Sequence, residues 1–217
     1  MNKSGNRFEG GNLVVQSLQA LGVKQIFSVS GGPLNSIYNA CAAHQLPLYH
    51  TRHEAGACFM ADAISRLTGV PGVAAVTLGP GVTNTVTPAL VAKMAGAPML
   101  ILGAQANTAS FERGAGMSVD HVPIMEPVTK FSARVLHTER IPEFIEMAFR
   151  RMWAGTPGPV FLEIPVNVLA APTTLMPASS FGRTLPGLSD IQKAELTGAV
   201  SLAHRPLLLL GDDVRWD

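Results

Sequence analysis

Short apolar runs alternate with helix-like segments along most of this chain, and this alternation is its strongest constraint on the fold. The runs end at turns rich in Gly, Pro or Ser, and the segments between them carry apolar or small residues at helical spacing. A strand, a helix and a second strand in this order form a right-handed βαβ unit. The alternation therefore predicts an α/β fold, an open parallel sheet of about six strands with helices on both faces.

The predicted strands are continuous or nearly continuous apolar runs, which is typical of strands buried on both faces of a sheet. They cover residues 25–29, 47–50, 73–78, 99–102, 131–136 and 160–164. The predicted helices cover residues 13–21, 33–43, 54–67, 83–95, 122–125 and 142–153. Residues 104–120 lack periodicity and form a predicted long loop, a type of segment that is more often functional than idle.

Linker composition predicts a domain boundary after this unit. Residues 171–189 mix Pro and Gly with Ser and Thr. Beyond them, Asp190 caps a predicted helix that runs to about residue 203, and residues 206–210 form a predicted buried strand. One helix and one strand cannot bury their apolar faces alone. We therefore expect a first domain at residues 1–170 and, at residues 190–217, the incomplete start of a second α/β domain.

Charge is scarce in this sequence, which bears on its partners. Apolar residues make up 47% of the chain, charged residues only 14%, and the net charge is +1. A surface with so little charge favours contact with another protein, and self-association is the first expectation. The sequence has no cluster of Lys and Arg with interleaved aromatic residues, which argues against binding to nucleic acid or to an anionic membrane surface.

Cysteine usage and the absence of targeting signals predict a cytoplasmic protein. Cys41 and Cys58 lie in apolar helix-like segments without metal-ligand spacing, which is typical of small core residues in a reducing compartment. The first residues contain no apolar signal region, and no stretch has the uninterrupted length of a membrane span. The sequence also offers no candidate metal ligands.

Glu54 is the leading candidate for chemistry, because it stands at a predicted strand-to-helix corner. Two glycine-bearing turns, at 28–33 and 77–84, also follow predicted strands, and open α/β folds bind ligands at the carboxyl ends of their strands. A structural role stays open, because an acidic residue complements the start of a helix and glycine suits any tight turn. Neither turn has the GxGxxG or GxxxxGKS/T pattern, which disfavours a nucleotide-binding module.

Eight short segments occur in the order and at the spacing of a known family. They are Gly22-Val23 before Ile26-Phe27, Gly31-Gly32, Arg52-His53-Glu54-Ala55-Gly56-Ala57, Ala61-Asp62-Ala63, Arg66-Leu67-Thr68-Gly69, Gly79-Pro80-Gly81-Val82-Thr83-Asn84, Pro127-Val128-Thr129-Lys130 and Gly158-Pro159-Val160. On these segments, the chain resembles the thiamine-diphosphate-dependent enzymes of the acetolactate synthase-like group, which include 2-oxo-acid decarboxylases and carboligases. The resemblance spans roughly residues 8–170, the extent of that family's pyrimidine-binding domain.

The resemblance implies a specific role for Glu54. The family's glutamate bonds to N1′ of the aminopyrimidine ring of thiamine diphosphate and favours the imino tautomer, which removes the C2 proton of the thiazolium. Such a carboxyl group needs a dry pocket and a pKa matched to sharing a proton with a weak base. By the same resemblance, Ser30, Gly31, Pro80 and Asn84 line the pyrimidine pocket. The implied substrate is a 2-oxo acid or a related acyl compound.

The histidines carry little information about function, and Ser30 and one loop depart from the family pattern. His53 is as much a packing or subunit-contact candidate as a catalytic one, and the remaining histidines are expected to be surface or satisfied, partly buried residues. Ser30 replaces the family's usual proline before Gly-Gly. Residues 116–120 replace the Phe-Gln-Glu-Val-Asp of many relatives and keep only the valine and Asp120, which makes acetolactate synthesis doubtful.

The chain lacks the family's Gly-Asp-Gly and Asn-Asn segments, which bind Mg²⁺ and the cofactor's diphosphate. The resemblance therefore implies a separate diphosphate-binding domain, and also a homodimer or higher oligomer, because the family's cofactor lies between domains of two subunits. An alternative from another class is a non-catalytic interaction or regulatory protein, or a gene fragment, that keeps the fold without the complete site.

Overall fold

The computed structural model describes residues 8–174, 189–211, 214 and 216. Its strands are β1 (Ile26–Ser28), β2 (Leu48–His50), β3 (Gly72–Val76), β4 (Met99–Gln105), β5 (Phe131–Arg134) and β6 (Pro159–Pro165). They form one sheet in the order β2-β1-β3-β4-β6-β5, and every pairing between neighbours is parallel. The predicted fold class, an open parallel sheet of about six strands, is confirmed.

The helices in the described ranges lie between these strands and after them. They are α1 (Gly10–Ala20), α2 (Asn35–Ala43), α3 (Glu54–Thr68), α4 (Pro80–Thr83), α5 (Val86–Met94), α6 (His121–Met125), α7 (Ile141–Trp153), α8 (Val166–Ala170) and α9 (Asp190–Leu202). Short 3₁₀ turns occur at Gly32–Leu34, Thr108–Ser110, Glu126–Val128 and Thr138–Arg140. None of the described helices has both the length and the apolar character needed to cross a bilayer.

Two apolar clusters cover the two faces of the sheet. Residues of α1, α2, α7 and α8 build one cluster, and residues of α3, α5 and α6 build the other. The central strand β3 serves both, because Val73 and Ala75 belong to the first cluster while Ala74 and Val76 belong to the second. Successive side chains of a strand point to opposite faces, so burial on both faces explains why this run is continuously apolar.

Small residues let α3 lie unusually close to the sheet. A Cβ atom placed on Gly72 would lie 1.9 Å from the backbone oxygen of Ala61, far inside any real contact. The C-terminus of α3 is fixed by Gly69, whose φ of 71° is the left-handed conformation that suits glycine as a helix cap. The helix is therefore held at a short distance from β3, with Glu54 at its first position.

Several predicted boundaries were wrong, among them those of the loop at 104–120 and of the helix at 83–95. Strand β4 continues to Gln105, so the loop predicted at 104–120 begins at residue 106. The single helix predicted at 83–95 is two helices, α4 and α5, separated by Asn84 and Thr85. Pro88 explains the break, because it has no N–H to donate to the carbonyl of Asn84 and its ring clashes with that carbonyl in a continuous helix.

The chain after residue 188 agrees only partly with expectation. The predicted helix is confirmed as α9, but the predicted cap was wrong: the N-cap is Ser189, which forms a capping box with Gln192, and Asp190 is the first helical residue. The strand predicted at 206–210 was wrong: no strand forms there, and Leu207–210 are 66–85% exposed. A strand needs a neighbour for its backbone groups, and none of the described residues provides one. Most of the predicted linker, residues 175–188, lies outside the described residues, and the domain division remains a prediction.

The close approach of α3 to β3 predicts that Gly72→Ala destabilises the protein by about 3 kcal/mol, because the added methyl group meets rigid backbone. Urea unfolding followed by circular dichroism measures the change. Gly198→Ala is the control, because a Cβ on this glycine of α9 meets no atom within 4 Å. We expect no loss of stability from the control. Equal midpoints for the two variants would contradict the packing argument.

Candidate functional site

The candidate site lies at the carboxyl edge of the sheet, where three segments follow neighbouring strands. β1 leads to the turn that contains Ser30 and Gly31, β2 leads to Glu54, and β3 leads to the turn before Pro80. The strands are in register, because Ser28 of β1 pairs with His50 of β2 and with Ala75 of β3. The three segments therefore leave the sheet at the same edge, as parallel strands require.

Glu54 and Asn84 are brought into direct contact. The Nδ2 of Asn84 donates a hydrogen bond to Oε2 of Glu54 over 2.9 Å, although the residues are 30 positions apart. Within the described residues, Oε1 of Glu54 accepts no hydrogen bond, and it lies 3.9 Å from the place where a Cβ on Gly81 would stand. One oxygen of this half-buried carboxylate is therefore fixed, and the other is open to a donor.

Two glycines keep the surroundings of this carboxylate open by packing on Thr77. A Cβ on Gly31 would lie 2.9 Å from Cβ of Thr77, and one on Gly81 would lie 2.7 Å from Cγ2 of the same threonine. Both distances are too short for a real side chain, so each turn approaches Thr77 as only glycine allows. Gly31 also donates its N–H to the hydroxyl of Tyr38 over 3.2 Å.

The five residues predicted for the site are not equally close to one another. Glu54 and Asn84 touch, and Gly31 packs on Thr77, which also packs on Gly81 next to Glu54. Ser30 and Pro80 are exposed neighbours of the two glycine turns. In the described part of the chain, neither of them has a hydrogen bond to Glu54 or Asn84.

His53 has a structural task at the start of α3. It is the N-cap residue, and its Nδ1 accepts the backbone N–H of Ala55 over 3.1 Å. This contact satisfies one of the free donors of the first helical turn. His53 thereby helps to fix the turn that carries Glu54.

Sequence reasoning missed a largely buried polar cluster beside the site. The carboxylate of Glu163 accepts hydrogen bonds from Nδ1 of His121 over 2.5 Å, from Nε2 of Gln105 over 3.0 Å and from Nε of Arg134. His121 and Glu163 are both 0% exposed, and His121 had been expected at the surface or only partly buried. Glu163 itself was the signal in the sequence: a carboxylate within the apolar run of β6 is buried, and a buried charge needs hydrogen-bond partners.

This cluster connects the loop after β4 with the turn after β3. His121 accepts the backbone N–H of Gly79 at its Nε2 over 2.8 Å, and Gln105 donates to the carbonyl of Val119 over 2.8 Å. Arg134 also pairs with Asp120 over 2.7 Å. Burial acts to lower the pKa of Arg134, but the Glu163 and Asp120 carboxylates together raise it, so the guanidinium remains charged.

A cavity of about 270 Å³ opens beside the cluster and is lined in part by Phe111, Ser118 and Arg134. The guanidinium of Arg134 lies over the ring of Phe111, 5.0 Å from its centre. Within the described residues, no three His, Cys, Asp or Glu side chains come together as metal ligands.

Comparison with known proteins gives consistent matches. The family model described as "Thiamine pyrophosphate enzyme, N-terminal TPP binding domain" matches residues 8–124. The chain is 43% identical to 2-hydroxyacyl-CoA lyase 2 of Mus musculus over 160 residues, which cover 74% of this chain and 25% of that protein. It is 33% identical to the catabolic acetolactate synthase of Raoultella terrigena over 207 residues, which cover 93% of this chain and 36% of that protein. The chain thus spans about a quarter to about a third of the length of these relatives.

The two buried cysteines provide a chemical test of the packing around the site. Burial raises the pKa of the Cys41 thiol to about 11, and burial together with the charge of Glu54 raises the pKa of the Cys58 thiol further. Because the thiolate is the nucleophile, we expect iodoacetamide at pH 8 to label the folded protein about 100-fold more slowly than the urea-unfolded chain. Labelling of Cys41 should rise with pH until about 11.

Mass spectrometry of the labelled peptides separates the two thiols, and Cys41→Ser isolates Cys58. Glu54→Gln should leave Cys58 protected, because burial is the larger cause of its shift. Rapid labelling of Cys58 in the folded protein would contradict the packing of α3.

Proposed function

Because the chain belongs to the thiamine pyrophosphate enzymes through their N-terminal TPP binding domain, we propose that it forms the pyrimidine-binding half of a thiamine-diphosphate-dependent active site. The observation that carries this proposal is the carboxylate of Glu54, with one oxygen held by Asn84 and the other open. A decarboxylase or carboligase, a lyase or transferase acting on a carbon–carbon bond, is the corresponding enzyme class.

The residues around Glu54 fit an aminopyrimidine ring. A carboxylate with an open oxygen can share a proton with a ring nitrogen, and a half-buried setting strengthens that hydrogen bond. Asn84 directs the carboxylate by occupying Oε2. Gly31 and Gly81 place no side chain at the entrance of the pocket around Glu54. We assign the exposed Ser30 and Pro80 to the wall of this pocket. When bound, thiamine diphosphate supplies the electron sink for the reaction.

The proposed substrate is a 2-oxo acid or a related acyl compound. The chain is more similar to the 2-hydroxyacyl-CoA lyases, at 43% identity, than to the acetolactate synthases, at 33%. This difference favours an acyl-CoA-type substrate. The residues at 116–118 argue against acetolactate synthesis, since they lack the aromatic, amide and acidic groups that many relatives carry there.

We further propose that the diphosphate and Mg²⁺ are held by a diphosphate-binding domain outside these 217 residues, on a partner chain or elsewhere in the same protein. The Gly-Asp-Gly and Asn-Asn segments that would bind them do not occur in the sequence. The buried, unpaired cysteines Cys41 and Cys58 support a cytoplasmic location.

An exposed apolar face on α3 and α5 supports association with a second protein. Leu67 and Met94 are 82% and 81% exposed. The remaining members of this face are Phe59, Met60, Leu90 and Val91. The two helices pack against each other, and large exposed apolar side chains grouped on neighbouring helices are typical of protein contact sites. We propose that a second copy of the chain, or the chain carrying the diphosphate-binding domain, covers it.

Cofactor titration tests the role of Glu54. We expect thiamine diphosphate with Mg²⁺ to bind when the chain is mixed with the C-terminal part of a 2-hydroxyacyl-CoA lyase 2. Glu54→Gln should then lower turnover at least about 100-fold, because the carboxylate takes part in proton transfer. Isothermal titration calorimetry and a lyase assay measure the two effects.

Glu126→Gln is the matched control, since this glutamate is exposed and lies on the 3₁₀ turn after α6. It should leave binding and turnover unchanged. Absence of cofactor binding in every mixture, together with identical behaviour of Glu54→Gln, would favour the non-catalytic alternative.

Sedimentation velocity tests the apolar face. We expect the wild-type chain to sediment as a dimer or larger species, and Leu67→Glu combined with Met94→Glu to shift it to the monomer, because two buried charges would be unpaired at the interface. Leu136→Glu is the control, as Leu136 is 48% exposed and lies outside the face. A wild-type monomer, or a variant that sediments like the wild type, would contradict this role of the face.

A further inference from the structure

We propose that His121 is a positioning residue for the Glu54–Asn84 pair, acting through the backbone amide of Gly79. The consequence for catalysis rests on the proposed function of Glu54, but the positioning itself rests on geometry alone. His121 would not touch substrate or cofactor. It would hold the turn from which α4 begins, and so the place of Asn84.

The two ring nitrogens of His121 have different and fixed tasks. The N–H of Gly79 donates to Nε2 over 2.8 Å, so Nε2 must present its lone pair. The other nitrogen, Nδ1, lies 2.5 Å from Oε2 of Glu163 and therefore carries the proton. The reverse tautomer would set N–H against N–H at Gly79 and a lone pair against the carboxylate at Glu163. Both mismatched contacts would be fully buried, where no water can satisfy the unpaired groups.

Glu163 keeps the ring in this state. Its carboxylate is fully buried and accepts from Gln105 and Arg134 as well as from His121. Burying a carboxylate is costly unless such donors compensate it. An apolar residue would fill the same space in β6 without the desolvation free energy of a carboxylate. The presence of a carboxylate at this position is therefore consistent with a role in orienting the imidazole.

Gly79 transmits the position of the ring to Asn84. It has φ 62° and ψ −121°, and a Cβ at this place would lie 2.4 Å from the carbonyl oxygen of Met117. The carbonyl of Gly79 accepts from the N–H of Val82 and of Thr83, both over 3.0 Å. The N–H of Asn84 then donates to the carbonyl of Pro80 over 3.0 Å. This short hydrogen-bonded segment leaves Asn84 little freedom once the Gly79 amide is fixed.

Two substitutions separate the two tasks of the imidazole. In His121→Gln, the side-chain oxygen can take the place of Nε2 and accept from Gly79, but the donor to Glu163 is weakened. In His121→Asn, the amide nitrogen can take the place of Nδ1 and donate to Glu163, but the acceptor for Gly79 is lost. A residue that only fills the core would make no distinction between them.

Amide hydrogen exchange of the full chain, read by NMR, is the primary measurement. We expect the Gly79 amide to exchange at least about tenfold faster in His121→Asn than in wild type or His121→Gln. The side-chain amide signals of Asn84 should lose their Glu54-bonded shifts in the same variant. Circular dichroism melts confirm that the variants are folded. Equal protection of Gly79 in both folded variants would overturn the proposal.

If a variant fails to fold, a measurement on the wild type tests the hydrogen bonds of His121 directly. The ¹⁵N shifts of the His121 ring should identify Nδ1 as protonated and Nε2 as a hydrogen-bond acceptor, with a coupling across the bond to the nitrogen of Gly79. A protonated Nε2 in the neutral ring would overturn the proposal. Thiamine diphosphate affinity in the two-component mixture should follow the order of Gly79 protection. If the wild type does not bind the cofactor, the proposed function fails while the exchange and ring data still decide the role of His121.

Discussion

The close approach of α3 to β3 is the contact on which the arrangement of the candidate site depends. Gly72 and Ala61 meet backbone to backbone, so α3 lies deeper against the sheet than larger side chains would permit. Because Glu54 is the first residue of this helix, its carboxylate is drawn toward the turn after β3, where Asn84 contacts it. Gly31 and Gly81 show a milder form of the same packing, because a Cβ there would lie 2.9 and 2.7 Å from side-chain atoms of Thr77. The lack of a side chain at these few glycines thus lets the candidate site residues Glu54 and Asn84 meet.

Polar interactions inside the domain complement this apolar packing. Glu163, His121, Gln105 and Arg134 come from β6, α6, β4 and β5, and they meet with every partner of the buried carboxylate in place. Such a cluster adds little stability compared with apolar residues of equal volume, because desolvation offsets most of the attraction. The cluster instead fixes the relative positions of its members, because hydrogen bonds form only in certain geometries. The loop after β4 and the turn after β3 are thereby held in one arrangement.

Sequence alone predicted the features that depend on local pattern. The apolar runs identified β3 and β4 as buried strands, and the position of Glu54 after β2 placed it at the carboxyl edge of the sheet, because parallel strands end at the same edge. The break at Asn84 was missed although Pro88 stood in the sequence, since small-residue spacing suggested one continuous helix. The pairing of His121 with Glu163 joins residues 42 positions apart, and no local pattern encodes it. The leucine run at 207–210 had strand propensity without a neighbouring strand among the described residues, and propensity alone does not form a sheet.

The loop between β4 and α6 is secured mainly near its ends. Gln105 and Asp120 anchor it to the buried cluster, while Glu112, Arg113 and Gly114 are exposed. Mutations in this middle portion therefore leave the folding core untouched, and selection can act on them almost independently of stability. A scaffold built in this way can diversify in specificity by drift of one surface segment.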